Sequence, residues 1–263
     1  MDQTEYQGFL NFMVGMADKA DQISMHYFRE QQLLEVSVKE DGSFVTKADQ
    51  EIERKLRTMI DETYDAHNIL GEEQGETISD VGGYRWIIDP IDGTHGFMTG
   101  LPIWATLIAL EHKGKILVCM ISAPALCSRW WAGDRFGAYK YSHGETMKIS
   151  VSTIYTLDKS QLVYTGVIPC GDRWHLFPKL LTKVWRERGV GDFWGHCLVA
   201  EGAAEIMLDP IVNVWDVAAL HLLVVESGGA MTDDVGESSY TAGYAITTNK
   251  RVHAPLLDFI RDN

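Results

Sequence analysis

The run Asp89-Pro90-Ile91-Asp92-Gly93-Thr94 is the segment of this 263-residue chain whose residue types and spacing most plainly suit chemistry. Two carboxylates three positions apart flank a proline, which cannot donate a ladder hydrogen bond and so breaks the preceding strand at Asp89-Pro90. Around such a kink the side chains of Asp89 and Asp92 and the Ile91 carbonyl can converge on one point. Gly93 permits close backbone approach. Gly93-Thr94 is expected to open a short helix towards Phe97, and the free amides of a helix start suit a phosphate group. Hard oxygen donors beside a phosphate oxygen are what Mg2+ prefers. The same residues would also make an ordinary surface turn, since Asp, Pro and Gly are turn formers.

Three further acidic positions invite the same question. Glu72-Glu73, following Gly71, would in isolation be a solvated loop. Asp216 opens a helix, where a first-turn acid is favoured by the dipole whatever else it does. Asp49 has the same modest explanation. Each is weak alone; the weight lies in their occurring together.

The elements that must position these acids are readable in outline. A long helix is expected over about the first thirty residues, with Phe9, Phe12, Met13, Met16, Ala20 and Ile23 at helical spacing. Residues 36–46, centred on Lys39-Glu40-Asp41-Gly42, suit a hairpin or mobile loop. Thr46 caps a second helix that carries Ile52, Leu56 and Ile60 on one side. A polar stretch runs from the acidic turn to Gly83, and a buried strand follows over 84–88. Strands are expected over 103–110 and 115–121, joined at Lys113-Gly114, and a further pair around Gly133-Asp134. The later part begins near Ser150 with a strand at 161–165, then helices over 175–188, 195–207 and 217–227, the last stopped by Gly228-Gly229. This alternation predicts a layered α/β architecture, divided as residues 1–149 with the Asp89–Thr94 run and 150–263 with Asp216, in one compact unit.

Composition narrows the function. The 23 Lys and Arg against 37 Asp and Glu give a formal net charge of −14. That argues against nucleic acid or an anionic membrane as partner, and an anionic substrate would need cations held locally. The four cysteines form no C-x-x-C pair and suit reduced thiols, the start of the chain lacks the regions of a signal peptide, and no apolar run is long enough to span a bilayer. A cytoplasmic protein is expected. The nine histidines lack zinc spacing, the eight tryptophans suit core and interface, and no Walker loop or G-x-S-x-G elbow is present.

Gly71-Glu72-Glu73, then Trp86-Ile87-Ile88-Asp89-Pro90-Ile91-Asp92-Gly93-Thr94, then Trp215-Asp216-Val217-Ala218-Ala219 resembles the inositol monophosphatase superfamily, with the motifs in family order and the likeness covering essentially the whole chain. Within it the chain is most similar to the histidinol-phosphate phosphatases of the inositol-monophosphatase type. The stretches 39–49, 101–110 and 122–126, the pair Trp130-Trp131, and above all Arg188-Gly189-Val190-Gly191-Asp192-Phe193-Trp194 carry that likeness.

The resemblance implies an α-β-α-β-α sandwich, a homodimer with the Trp- and Met-rich middle at the contact, and two or three Mg2+ ions per subunit. By similarity Glu72, Asp89, the Ile91 carbonyl, Asp92 and Asp216 would be metal ligands, with Asp49 near the weakest site. Gly93 and Thr94 would receive the phosphate, while Glu72 and Thr94, with Asp92, would serve the catalytic step on water. Lithium would compete at a cation site. The substrate is expected to be a small phosphate monoester, histidinol phosphate first; inositol 1-phosphate or a nucleoside bisphosphate is the alternative, and a non-enzymatic metal- and phosphate-binding module a further one. A histidinol amine calls for carboxylates, and Asp192, Glu201 and Asp209 are the candidates, with Arg188 and His95 as further substrate contacts. Glu201, taken as mid-helix, and Asp209 before Pro210 would equally be surface or turn acids, and Arg188 an ordinary helix C-terminal residue. His95-Gly96 departs from the family pattern after Thr94 and is expected to loosen the turn there. Lys39 matches a loop lysine of the family and would otherwise be a solubilising residue.

Overall fold

The computed structural model describes residues 1–30, 34–39, 42, 44–79 and 83–261. Helix α1 (Gln3–Arg29) is fixed at its start by Asp2, whose carboxylate accepts from Thr4 N and Glu5 N while Glu5 returns a bond to Asp2 N. It buries Tyr6, Met13, Met16, Ala17 and Ala20 along one stripe. Strands β1 (Val36–Val38) and β2 (Phe44–Thr46) form an antiparallel hairpin that leads into α2 (Lys47–Thr63), on which Ile52, Leu56 and Ile60 are fully buried. Glu40 and Asp41, at the expected centre of that hairpin, lie outside the described residues, as do residues 80–82 of the polar stretch before Gly83.

An eight-stranded sheet follows, built from β3 (Asn68–Gly71), β4 (Gly75–Thr77), β5 (Tyr84–Asp92), β6 (Ala105–His112), β7 (Lys115–Ala123), β8 (Ser128–Gly133), β9 (Gly137–Ser142) and β10 (Glu145–Lys148), with the short helix α3 (Thr94–Thr99) after β5. Its order is β10-β9-β8-β7-β6-β5-β3-β4, antiparallel except where β3 pairs with β5. Side chains alternate across it as the pleat requires. Trp86, Ile88, Ile108, Leu110, Val118 and Met120 face α1 and α2, whereas Ile87, Leu107, Ala109, Cys119 and Ile121 face the opposite core.

The second sheet comprises β11 (Gln161–Tyr164), β12 (Arg186–Gly189), β13 (Ile206–Asp209), β14 (Ala230–Thr232) and β15 (Ala245–Thr248), in the order β12-β11-β13-β15-β14. Helices α4 (Val167–Arg173), α5 (Phe177–Leu180) and α8 (His253–Arg261) cover its outer face through Cys170, Phe177, Leu180, Leu256 and Ile260, which pack with Leu162, Tyr164, Ile206 and Leu208. Helices α6 (Asp192–Ala200) and α7 (Val214–Glu226) fill the space between the sheets. The result is the five-layered α-β-α-β-α sandwich.

Several local expectations need correction. Residues 175–188 are not one helix: α5 is a single turn, and Arg186–Gly189 is an edge strand parallel to β11. Arg188 therefore sits on a sheet edge rather than at a helix C-terminus. Helix α6 stops at Ala200, Glu201 is its C-cap rather than a mid-helix residue, and Met207 belongs to β13. Strand β5 runs through Pro90 to Asp92 instead of ending at Asp89, because a register shift against β6 between Asp89 and Asp92 excuses the missing donor. Thr106 Oγ1 ties the Pro90 carbonyl at 2.8 Å.

Candidate active site

Three carboxylates meet where β5 ends and α7 begins. Oxygens of Asp89, Asp92 and Asp216 all lie within 4.8 Å of one another. Asp89 is 2% exposed, and its Oδ1 has no hydrogen-bond partner among the described residues. Burial pushes its carboxyl well above the usual range, with the charges of Glu72, Asp92, Asp216 and Asp49 adding to the shift. Asp92 is raised likewise, by burial and then by Asp192 and Asp216, although the Phe193 amide donates to its Oδ2. Asp216 is pushed up to about 7, by burial first, despite accepting from Asn213 N at 2.7 Å. That bond runs from the helix N-cap to the third helical residue, so Asp216 is aimed by the start of its own helix. Asp49 is held the same way by Thr46, whose N and Oγ1 donate to its Oδ2; its Oδ1 is buried without a partner, and burial raises its carboxyl to about 7. Such crowding of unpaired carboxylates is costly without a cation.

Glu72 and Glu73 follow β3 in the turn to β4, and that turn rests on a residue that sequence reasoning missed. The wholly buried Glu53 of α2 accepts from Glu73 N at 2.7 Å, Gln74 N at 3.0 Å and Arg57 Nε at 2.8 Å. Gly71 is required there, because a Cβ would come within 2.3 Å of the Glu53 carboxylate. Arg57 continues the clamp to Thr77 Oγ1 at 3.0 Å and to the Gly75 carbonyl. The available signal was the row Asp49, Glu53, Arg57, four residues apart beside the apolar Ile52-Leu56-Ile60 row. Lys39 reaches Glu72 Oε1 at 2.9 Å and Glu73 Oε1 at 2.7 Å, a position more specific than a solubilising role needs.

Beyond β5, Gly93 has φ +86°, and a Cβ would lie 2.9 Å from the Ile103 carbonyl, so glycine serves both conformation and space. Thr94 Oγ1 donates to Ile91 O at 3.0 Å. Gly96 does not loosen the turn: a Cβ there would come within 2.7 Å of the same Ile103 carbonyl, which makes the position tight. His95 is exposed, its ring edge-on to Phe44 with centroids 5.1 Å apart.

On the other side of Asp92 lies a cleft of about 80 Å³ lined by residues that include Asp92, Asp192, Asp209, Asp216, Thr165 and His196. Gly191 lets the start of α6 press against Thr165, where a Cβ would lie 2.9 Å from its Cα. Asp192 then adopts a positive φ of 53°. Its carboxyl is pushed up to about 6, chiefly by burial and by Asp209, with His95 and His196 opposing. Asp209 is 6% exposed at the end of β13. The remaining two candidates are otherwise engaged. Glu201 accepts from Trp130 Nε1 at 3.1 Å and from Lys140 Nζ at 2.6 Å. Arg188 is exposed and donates to the Glu187 carbonyl at 2.6 Å. Neither lines the cleft.

A layered fold that gathers buried carboxylates from β5 and α7 beside an acidic cleft has clear counterparts among known proteins. The model of the inositol monophosphatase family matches residues 5–261, and the chain belongs to that family. A histidinol-phosphatase of Mycobacterium tuberculosis is 38% identical over 94% of this chain and 96% of its own length. An inositol-1-monophosphatase of Caulobacter vibrioides is 32% identical over 95% and 99%. The crystal structure of the extragenic suppressor protein suhB from Bartonella henselae superposes with a TM-score of 0.89 at 26% identity, covering 97% of this chain and 99% of that one. The protein is a phosphoric monoester hydrolase.

Proposed function

We propose that this phosphatase hydrolyses L-histidinol phosphate to L-histidinol and phosphate. The observation that carries the choice of substrate is the pairing of Asp192 and Asp209 in one cleft beside the Asp89-Asp92-Asp216 cluster. An alcohol bearing an ammonium would find two carboxylates there to balance its charge, whereas a neutral polyol would donate hydrogen bonds to them without balancing it.

The acidic cluster fits a hard divalent cation, for which Mg2+ is our assignment. Its donors are all carboxylates, and the buried oxygens of Asp89 and Asp49 lack partners among the described residues. Glu72, Asp89, the Ile91 carbonyl, Asp92 and Asp216 would hold two such ions, with Asp49 serving a third. Bound there, they neutralise phosphoryl charge and make water a better nucleophile. The protein supplies the rest. Gly93 and Thr94 present backbone amides to the phosphoryl oxygens. Because Thr94 Oγ1 gives its own hydrogen to Ile91 O, its lone pairs are left to accept from the attacking water, and Glu72 is the second group that orients it. Water attacks phosphorus, the P–O bond to the alcohol breaks, and that oxygen leaves as a hydroxyl after taking up a proton. Asp192 and Asp209 hold the departing amino alcohol. Lithium inhibition, a homodimer and a cytoplasmic location belong to the same reading. No helix among the described residues is long and apolar enough to cross a membrane.

The inositol-1-monophosphatase relatives motivate a second substrate, inositol 1-phosphate. Parallel phosphate-release assays on histidinol phosphate, inositol 1-phosphate and a nucleoside 3′,5′-bisphosphate decide the matter. The highest kcat/KM is expected for histidinol phosphate; a higher value for either competitor would overturn the assignment.

A further inference from the structure

His196 lies in the wall of the acidic cleft, is 1% exposed, and belongs to none of the metal or phosphate motifs. It stands one helical turn after Asp192, so the two side chains share a face of α6. Gly195 makes the placement possible. A Cβ there would come 2.4 Å from Met207 Sδ and 2.9 Å from the Val190 carbonyl, so only glycine lets α6 settle this closely on β13. The next residue, His196, is thereby brought beside Asp209 at the end of that strand.

The two ring nitrogens have different surroundings. Nδ1 is 2.9 Å from Thr247 Oγ1, which fixes the ring plane. Nε2 is buried and has no hydrogen-bond partner among the described residues, and the Asp209 carboxylate at 3.7 Å is beyond hydrogen-bonding distance. A buried polar atom left unpaired is destabilising, and an apolar residue at this position would avoid that cost. His196 lines the same small cleft as Asp192 and Asp209, so a ligand polar atom that reached Nε2 from there would complete its bonding.

We propose that His196 is a specificity-determining residue that meets the leaving alcohol through Nε2. This inference rests on the proposed function, since it takes the cleft to be the alcohol subsite. Asp192 and Asp209 accept from the ammonium, and His196 Nε2 pairs with a second polar nitrogen on the same molecule. The substrate class is then a phosphate ester of an amino alcohol that bears a further hydrogen-bonding ring, rather than of an aliphatic amino alcohol or a polyol.

The test compares wild type, His196→Phe and His196→Gln on histidinol phosphate and on glycerol 2-phosphate. For histidinol phosphate, His196→Phe is expected to raise KM about tenfold with kcat little altered, equivalent to about 1.4 kcal/mol. Its preference for histidinol phosphate over glycerol 2-phosphate should fall at least fivefold, and His196→Gln should restore much of it. A preference unchanged in His196→Phe, or an equal loss on both esters, would overturn the role of His196 while leaving the proposed function standing. Wild type that turns over glycerol 2-phosphate but not histidinol phosphate would remove the proposed function and this inference with it. Should His196→Phe not fold, wild type serves alone. Histidinol is then expected to inhibit glycerol 2-phosphate hydrolysis at least tenfold more tightly than leucinol, and equal inhibition would count against the proposal.

Discussion

Glu53 and Asp89 are both carboxylates shut away from water, distant in sequence from the acidic turn yet packed beside it, and they are treated in opposite ways. Beneath the turn, Glu53 meets two backbone amides and the Arg57 guanidinium. At the end of β5, Asp89 meets other acids and keeps an unpaired oxygen. A carboxylate that serves the fold brings its partners with it. The proposed metal ligand is left short of them, which leaves an oxygen free for a cation.

Removing the satisfied acid should hurt folding most. Glu53→Ala strands Arg57 and two amides, and a cost of about 3–5 kcal/mol in urea unfolding is expected; a loss under 1 kcal/mol would mean that the clamp is ornamental. Neutralising an acid of the crowded cluster should spare folding and abolish turnover. Asp92→Asn is expected to lose at least about a hundredfold in kcat through the missing charge and donor. In chelator the same variant should melt above wild type, because a repelled carboxylate has gone. Equal activity in the two proteins would eliminate the role of Asp92.

The next effect concerns pH. Asp49 and Asp216, raised to about 7 from an ordinary value near 3.8, bind protons more strongly folded than unfolded. Stability in chelator is therefore greatest below pH 4 as far as these groups are concerned, and it is lost as pH rises to 7. Allowing for their mutual coupling, about 2 kcal/mol, or roughly 5 °C in Tm, should disappear between pH 5 and pH 8. Excess Mg2+ should restore it. A chelated protein whose Tm rises over that interval would contradict the crowding. The smallest expected effect lies in the cleft. Asp192→Asn and Asp209→Asn should each raise KM for histidinol phosphate about tenfold, with less change for glycerol 2-phosphate; an equal change for both would detach these acids from the amine.

What could be read in the sequence follows from the range of the interactions concerned. The Asp89–Thr94 run is contiguous, and its convergence is a property of one strand end, so the residue spacing suffices. Asp49 and Asp216 are placed by caps three residues long, equally local. The helix expected over 175–188 failed because Arg186–Gly189 is drawn into the sheet by β11, a pairing with no local signature. Glu201 was attractive by composition, yet Lys140 and Trp130, some sixty and seventy residues earlier, claim it. His196 escaped notice because its significance depends on how closely Gly195 lets α6 lie on β13, a tertiary distance that no spacing reports.

The double employment of Asp49 and Asp216 has a dynamic consequence. Each spends one oxygen on the opening of its own helix, so an ion that draws on the same carboxylate is coupled to whether that first turn frays. Cation binding should therefore be visible as slower amide exchange at the N-termini of α2 and α7. Occupancy of the centre and the stiffness of two stretches of backbone become one equilibrium, measurable without a single turnover.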